Sequence, residues 1–426
     1  MDTLIIGGGL MGITTAYQLL KKGESVTILE CREGVALETS YANGGMLTPS
    51  MSEPWNSPGV YKYLAASVFN PVSTMKLRLR AVPSLFFWGI KFLKYSSEAH
   101  FRSTCRDNFF LASYSLQETQ KISENLDLKY FRGANGTLSV FRNHEDFSIK
   151  ESVCQHLANL GMKYDILTPN EIISMVPALN DIKSEIYNGI LYQEDQHGDA
   201  HLFCKQLLDE YINAGGHIEY DVNVSSLRTK SNRIIGVDTA NGFRVANRVV
   251  VTAGTRSPAL LKSVGIHLGV KPVKGYSVTV DVTGIKDIPI LPVLDDSMHA
   301  GITPLGHHLR MVGTAEFAGF DTSINNVRTG NLYTMFESMF PSIAAQVERK
   351  ASKPWAGLRP MSYDGKPFIG SCDVEGLYIN CGHGALGWTM AMGSASLLSD
   401  IVCGNRPEIN DLPFSLNRKK RRVSSF

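Results

Sequence analysis

Three glycines, Gly7, Gly9 and Gly12, follow directly on the apolar run Leu4-Ile5-Ile6, and an acidic residue, Glu30, lies 18 positions beyond Gly12. In this G-x-G-x-x-G spacing the first glycine permits a tight turn and the second lets backbone approach a pyrophosphate. The third lets helix and strand touch, while Leu10 and Met11 open a helix whose N-terminus faces the phosphates. A carboxylate at the end of the following strand, beside Cys31, can accept both ribose hydroxyls and disfavours a 2′-phosphate, so NADP is not expected. Much later, Arg359 offers a guanidinium, whose fork matches a carboxylate with two parallel hydrogen bonds and stays charged at working pH. The bland alternative is a structural salt bridge near Asp364. Tyr276 can hydrogen-bond a substrate, and His299 can accept an amine proton or shape a pocket. No metal centre is expected, because His307-His308 lacks a Cys or carboxylate at ligand spacing. The absence of G-x-S-x-G removes support for a nucleophile-elbow hydrolase.

These residues need elements to hold them. Asp2 to Glu30 reads as β-α-β: a short apolar strand, a helix from about Leu10 to Lys22 stopped by Gly23, and a strand Ser25 to Glu30. A crossover of this length implies a parallel, helix-covered sheet. Residues Tyr61 to Leu126 read as largely helical. Another strand, Val249 to Val251, ends in Thr252-Ala253-Gly254. Several β-rich runs between Lys271 and Gly313 (GYSVTVDV, PILPVL, LRMVGTAE) suggest an antiparallel sheet with hairpin turns. Leu377 to Asn380 is a last strand, followed by a glycine-rich turn and a small-residue helix to about Cys403. The expected fold class is α/β, α+β overall. A Rossmann-like domain (1–55, 145–270 and 350–416) is interleaved with a substrate domain of mixed or antiparallel sheet and helices (56–144 and 271–349), and 417–426 forms a basic tail.

FAD and NAD share the glycine fingerprint, so the cofactor is decided elsewhere. ETSYANGGMLTPSMSEPWNSPGV (Glu38 to Val60), KGYSVTV (Lys274 to Val280), WAGLRPMSYDGKPFIG (Trp355 to Gly370) and GHGALGWTMAMGSAS (Gly382 to Ser396) resemble the D-amino acid oxidase/glycine oxidase superfamily of FAD enzymes. Within it they look most like bacterial D-amino acid dehydrogenase small subunits. The resemblance runs from Met1 to about Arg418, and its GLRP and GHGxLGWT strings are far more specific than the glycines. It implies non-covalent FAD, with Ala253 and Gly254 on a returning strand near the dinucleotide and Val224 as a backbone clamp on adenine. Ser40, Asn43 and Gly44 would pass beside the isoalloxazine. Gly384, Leu386, Gly387, Trp388 and Thr389 would aim a helix N-terminus at the flavin N1–C2=O edge, favouring the anionic reduced ring. His383 would contact flavin or cap the turn. Arg359 would grip the substrate carboxylate. The implied reaction is hydride transfer from the Cα of a neutral-amine D-amino acid to flavin N5, then hydrolysis of the imino acid to a 2-oxo acid and ammonia. Electrons would pass to a quinone or another acceptor. Oxidation of glycine, sarcosine, proline or hydroxyproline-type amines, an NAD-dependent dehydrogenase, and a non-catalytic FAD-binding subunit of a membrane complex are the competing readings.

Composition limits the rest. The chain has 426 residues, 43% hydrophobic and 19% charged, with 42 Lys and Arg against 40 Asp and Glu. This is globular and large enough for two or three domains, and its near balance of charge gives no protein-wide nucleic-acid footprint. Seven scattered cysteines and the absence of a signal-like N-terminus point to reduced thiols in the cytoplasm. The run Ser84 to Leu93 is too short to span a bilayer. With its neighbours it reads as an interfacial helix (Leu85, Phe86, Phe87, Trp88, Ile90, Phe92 and Leu93 with Lys91 and Lys94), and the NRKKRR cluster from Asn417 to Arg422 would attract anionic lipid. Peripheral contact with the inner face of the cytoplasmic membrane is the expectation.

Overall fold

The computed structural model describes residues 2–62, 64, 75–298 and 300–418. His299 and the basic residues beyond Arg418, both singled out above, lie outside that range. Strand Asp2–Ile6 is short and apolar, and it sits near the middle of a six-stranded sheet. It pairs in parallel with Ser25–Leu29 on one side and Arg248–Val251 on the other. His217–Glu219 extends one edge, while Leu377–Cys381 and the antiparallel Phe368–Ser371 extend the other. Helices Leu10–Lys21, Glu98–Asn125, Ala200–Asn213 and Gly387–Cys403 bury their apolar stripes together, through Ile13, Leu111, Phe203 and Leu397 among others. A three-stranded sheet beginning at Val224 and a short helix, Ser257–Lys262, close another apolar layer over the strands.

A second sheet of nine strands stands over the first domain. From one edge it runs Lys353–Ser362, Val270–Asp281, His308–Phe317 and Ala300–Leu305, each antiparallel to the next. Helix Asn326–Met339 packs Leu332, Met335, Phe336 and Met339 into the apolar core of this sheet. The interleaved α/β architecture is therefore the one the sequence suggests, but two boundaries differ. Strands Tyr164–Leu167 and Asn188–Tyr192, expected in the nucleotide domain, pair into the roof sheet beside Thr137–Phe141. Helix Glu98–Asn125, expected in the roof, packs Leu111, Ala112, Leu116 and Ile122 into the nucleotide core. The helix goes where its apolar side is buried and the strands go where a sheet edge pairs them, neither of which sequence distance discloses.

One surface feature departs from expectation as well. Arg418, the first cation of the tail, is not free: Asp364 pairs with it at 2.6 Å and the guanidinium stacks 3.9 Å from the Phe368 ring centre. The Lys366, Pro367 and Phe414 carbonyls accept from it as well, which makes it part of the fold rather than of a solvated cluster. Helix Val82–Lys94 buries only Leu85, Trp88 and Phe92. Phe86, Phe87, Ile90 and Leu93 face outward, Phe87 at 79% exposure, with Lys91 and Lys94 also exposed. None of the seven cysteines is in a disulfide.

Candidate active site

A cavity of about 930 Å3 runs between the two sheets. At its nucleotide end the glycine turn is dictated by space. Gly7 has φ +106°, and a Cβ on Gly12 would stand 1.8 Å from the Gly7 carbonyl oxygen. Gly12 therefore acts by letting the helix touch the turn, and it is the one fingerprint glycine that does not line the cavity. Gly7, Gly9, Leu10 and Met11 do line it. Glu30 is buried and accepts hydrogen bonds from the Gly8 N–H and, at 2.9 Å, from the Arg32 N–H. Beyond it the wall carries Cys31, Val224, Ala253 and Gly254. Cys31 accepts a contact from Arg256 at 2.9 Å, and burial pushes its thiol up. Thr252 braces the returning strand by donating from Oγ1 to the Ile6 carbonyl at 2.8 Å.

The middle of the cavity is walled by Ser40, Asn43 and Gly44 and by Gly384, Leu386, Gly387, Trp388 and Thr389. Ser40 Oγ accepts from the Leu10 N–H at 3.2 Å, which ties this loop to the nucleotide helix. Thr389 Oγ1 accepts from the Thr48 N–H at 3.1 Å. Helix Gly387–Cys403 begins with no side-chain cap, and its first residues line the cavity, which sets its positive dipole end at the wall. Trp388 is anchored by its indole N–H on the Gly198 carbonyl at 3.2 Å and by Phe203, 4.7 Å away between ring centres. His383 is buried, hydrogen-bonded through Nε2 to Ser394 Oγ at 2.9 Å, and its Nδ1 has no protein partner. Burial pulls the imidazole down to about 3, so it is neutral.

The roof end brings Arg359 and Tyr276 to the same cavity. Arg359 has no carboxylate within ion-pair distance among the described residues. It donates from Nη1 to the Thr314 carbonyl at 3.2 Å and lies 5.2 Å from the centre of the Trp55 ring. Asp364, its suspected structural partner, is taken by Arg418. Burial pulls the Arg359 guanidinium down to about 10. An unpaired cation at the wall of a cavity is stabilised by an anion that enters. Gly275 makes room for it, since a Cβ there would meet Arg359 Cζ at 2.4 Å. Tyr276 differs from expectation: its hydroxyl donates to Glu316 Oε2 at 2.6 Å, so the phenol is already engaged. Burial and that carboxylate push the phenol well above its usual range. Burial works against the Glu316 charge, but the bonds from Tyr276 and Arg78 hold its carboxyl below the usual range.

Trp55, Glu316 and Gly275 were not singled out from sequence. Trp55 and Gly275 lie inside the quoted strings Glu38 to Val60 and Lys274 to Val280, so a signal existed for them; Glu316 sits in an ordinary strand and had none. The fingerprint cradle, the uncapped helix end and the unpaired guanidinium fit FAD and an anionic substrate in one cavity. Fold and site together define a two-domain dinucleotide oxidoreductase. The chain belongs to the FAD dependent oxidoreductase family, whose pattern matches residues 2–401, and its cofactor is FAD. A D-amino acid dehydrogenase from Methylobacterium radiotolerans is 35% identical over 98% of this chain and 99% of its own length. D-amino acid dehydrogenase 1 from Mesorhizobium japonicum is 32% identical over 96% of this chain and 97% of its own. Among solved structures, glycine oxidase from Bacillus cereus superposes with a TM-score of 0.76 at 22% identity, covering 100% and 99% of the two chains. L-Proline dehydrogenase from P. horikoshii gives 0.78 at 18%, covering 99% and 98%. The NAD-dependent reading is thereby set aside.

Proposed function

We propose that the chain oxidises D-amino acids to imino acids, which water converts to 2-oxo acids and ammonia. The observation that carries this reading is the Arg359 guanidinium, half-buried at the cavity wall with no counter-charge among the described residues. It binds the substrate carboxylate with two parallel hydrogen bonds, while Trp55 fixes the plane of the guanidinium. FAD supplies the hydride acceptor at N5. The free-base amine keeps its lone pair to form the C=N bond as the Cα hydride leaves, so no strong protein base is required. Neutral His383 suits this scheme, holding no charge against the ring edge. The dipole of helix Gly387–Cys403 favours negative charge where it points.

The electrons pass on to a quinone or another acceptor. The outward face of helix Val82–Lys94, with Phe86, Phe87, Ile90 and Leu93 beside Lys91 and Lys94, supports peripheral contact with the anionic inner face of the cytoplasmic membrane. Anaerobic titration of the FAD-loaded protein tests the central reading. D-Amino acids should bleach the flavin band near about 450 nm, and L-amino acids should not. No bleaching by any amino acid would leave only a scaffold role. Bleaching confined to glycine, sarcosine or proline would move the chain to the reading as an oxidase or dehydrogenase of glycine or of secondary amines.

A further inference from the structure

Four consecutive carbonyls of the loop Ala42 to Gly45 are each held by a different donor. Ser277 Oγ donates to the Ala42 oxygen at 2.7 Å, Arg310 Nη1 to Asn43 at 3.3 Å and Thr303 Oγ1 to Gly44 at 2.7 Å. The Gly198 N–H donates to Gly45 at 2.7 Å. Ser277, Thr303 and Arg310 stand on three neighbouring strands of the roof sheet, Val270–Asp281, Ala300–Leu305 and His308–Phe317. A loop at the surface would leave such oxygens to water. Arg310 is the costly member, because it is a buried cation. Its Nη2 donates to Asp199 Oδ2 at 3.0 Å and its Nε to Thr279 Oγ1 at 3.1 Å, which leaves its main donors satisfied. Asp199 uses its other oxygen to cap helix Ala200–Asn213, accepting from the His201 and Leu202 N–H groups at 2.9 Å. That helix carries Phe203, which lies against Trp388 in the cavity wall. One buried ion pair thus joins the roof, the loop and the helix that backs Trp388.

We infer that Arg310 is a positioning residue for the oxidation. Neutralised by Asp199, it fixes the Asn43 carbonyl. Together with Ser277 and Thr303 it sets how far the Ala42 to Gly45 backbone stands from the ring system of FAD. The inference rests on the FAD reading above. Loop and roof are then one rigid wall, and the Ala42 to Gly45 segment does not act as a lid.

The test is Arg310→Met in the full chain, purified without cofactor and reconstituted with FAD. Its dissociation constant for FAD, followed by quenching of flavin fluorescence, should rise about tenfold, the factor expected when one charge-assisted hydrogen bond is lost. The visible absorption band should shift, and kcat should fall while KM for the amino acid stays within about twofold, since Arg359 is untouched. Arg310→Lys should restore part of each change. Because Arg310→Met strands Asp199 and can fail to fold, Thr303→Val and Thr303→Ser form a milder pair. The valine should weaken FAD binding and shift the band, and the serine, which keeps the hydroxyl, should do neither. Folded Arg310→Met or Thr303→Val protein with the parent FAD affinity and an unshifted band would overturn the inference. Failure of the parent chain to bind FAD at all would instead overturn the reading on which it stands.

Discussion

The two ends of the cavity are built by different means. At the nucleotide end the work is done by backbone, by small residues and by one carboxylate, with the turn itself lying within the first 30 residues. Gly7 supplies the turn, Gly12 the close approach, and Glu30 braces the Gly8 amide. At the roof end it is done by charged and aromatic side chains from distant segments: Trp55, Arg78, Tyr276, Glu316 and Arg359. The first end is made by local chain geometry and tolerates no added volume. The second is made by strand register and balances charge instead. A single methyl group should therefore ruin the first end, while the second should respond in proportion to the charge removed.

Gly12→Val is the sharpest way to break that contrast and carries the largest expected effect. Even its first carbon would overlap the Gly7 carbonyl, and no rotamer avoids a clash at Cβ. The glycine turn must open, and FAD affinity should fall by at least about a hundredfold, read as protein that emerges colourless from gel filtration in excess FAD. Retention of parent FAD affinity would mean that the turn is softer than its geometry states. Arg359→Met comes next and probes the other end. It should leave FAD affinity unchanged and raise the amino-acid KM about a hundredfold, the scale of losing one partner of a buried charge pair. Arg359→Lys should recover part of that loss but not the two-point grip. A KM unaffected by either substitution would remove Arg359 from the substrate site.

The same contrast explains what the sequence made legible. The β-α-β unit, the fingerprint and the returning strand Arg248–Val251 were readable because helix and strand periods and glycine spacing are local properties. Helix Leu10–Lys21 and strand Ser25–Leu29 each fall within one residue of expectation. Arg359 and Tyr276 were named through motif resemblance, and both do reach the cavity. Their partners were not legible. That Tyr276 is spent on Glu316 follows from the antiparallel register of Val270–Asp281 with His308–Phe317, in which Lys274 faces Glu316 and a bulge then shifts the pairing so that Tyr276 faces Gly313. No property of either segment alone specifies that offset. Domain boundaries failed for the same reason. Strands Tyr164–Leu167 and Asn188–Tyr192 join the roof through pairing with Thr137–Phe141, a non-local choice made by sheet edges.

The smallest expected effect belongs to Glu316, and it asks whether charge balance really governs the roof. Glu316 accepts from Tyr276 and Arg78, and Lys274 and Arg328 also act on this cluster, Lys274 through the carboxylate of Glu316 and Arg328 through both Glu316 and Tyr276. Glu316→Gln keeps the shape and an oxygen for the phenol but deletes the negative charge. At pH 7 it should cost about 2 kcal/mol of stability, the usual scale for hydrogen bonds to a charged group. Because the folded carboxyl is held below the usual range, its charged form stabilises the native state above that range, and the contribution disappears as pH falls through the folded value. The gap in Tm between parent and variant should therefore be widest near neutrality and close on acidification below about pH 4. At neutral pH the amino-acid KM should change only about threefold, since Arg359 keeps its grip and Tyr276 keeps a partner. A Tm gap that stays constant from pH 7 down to pH 3 would mean that shape, not charge, holds Tyr276 in place, and the two ends of the cavity would then be built alike.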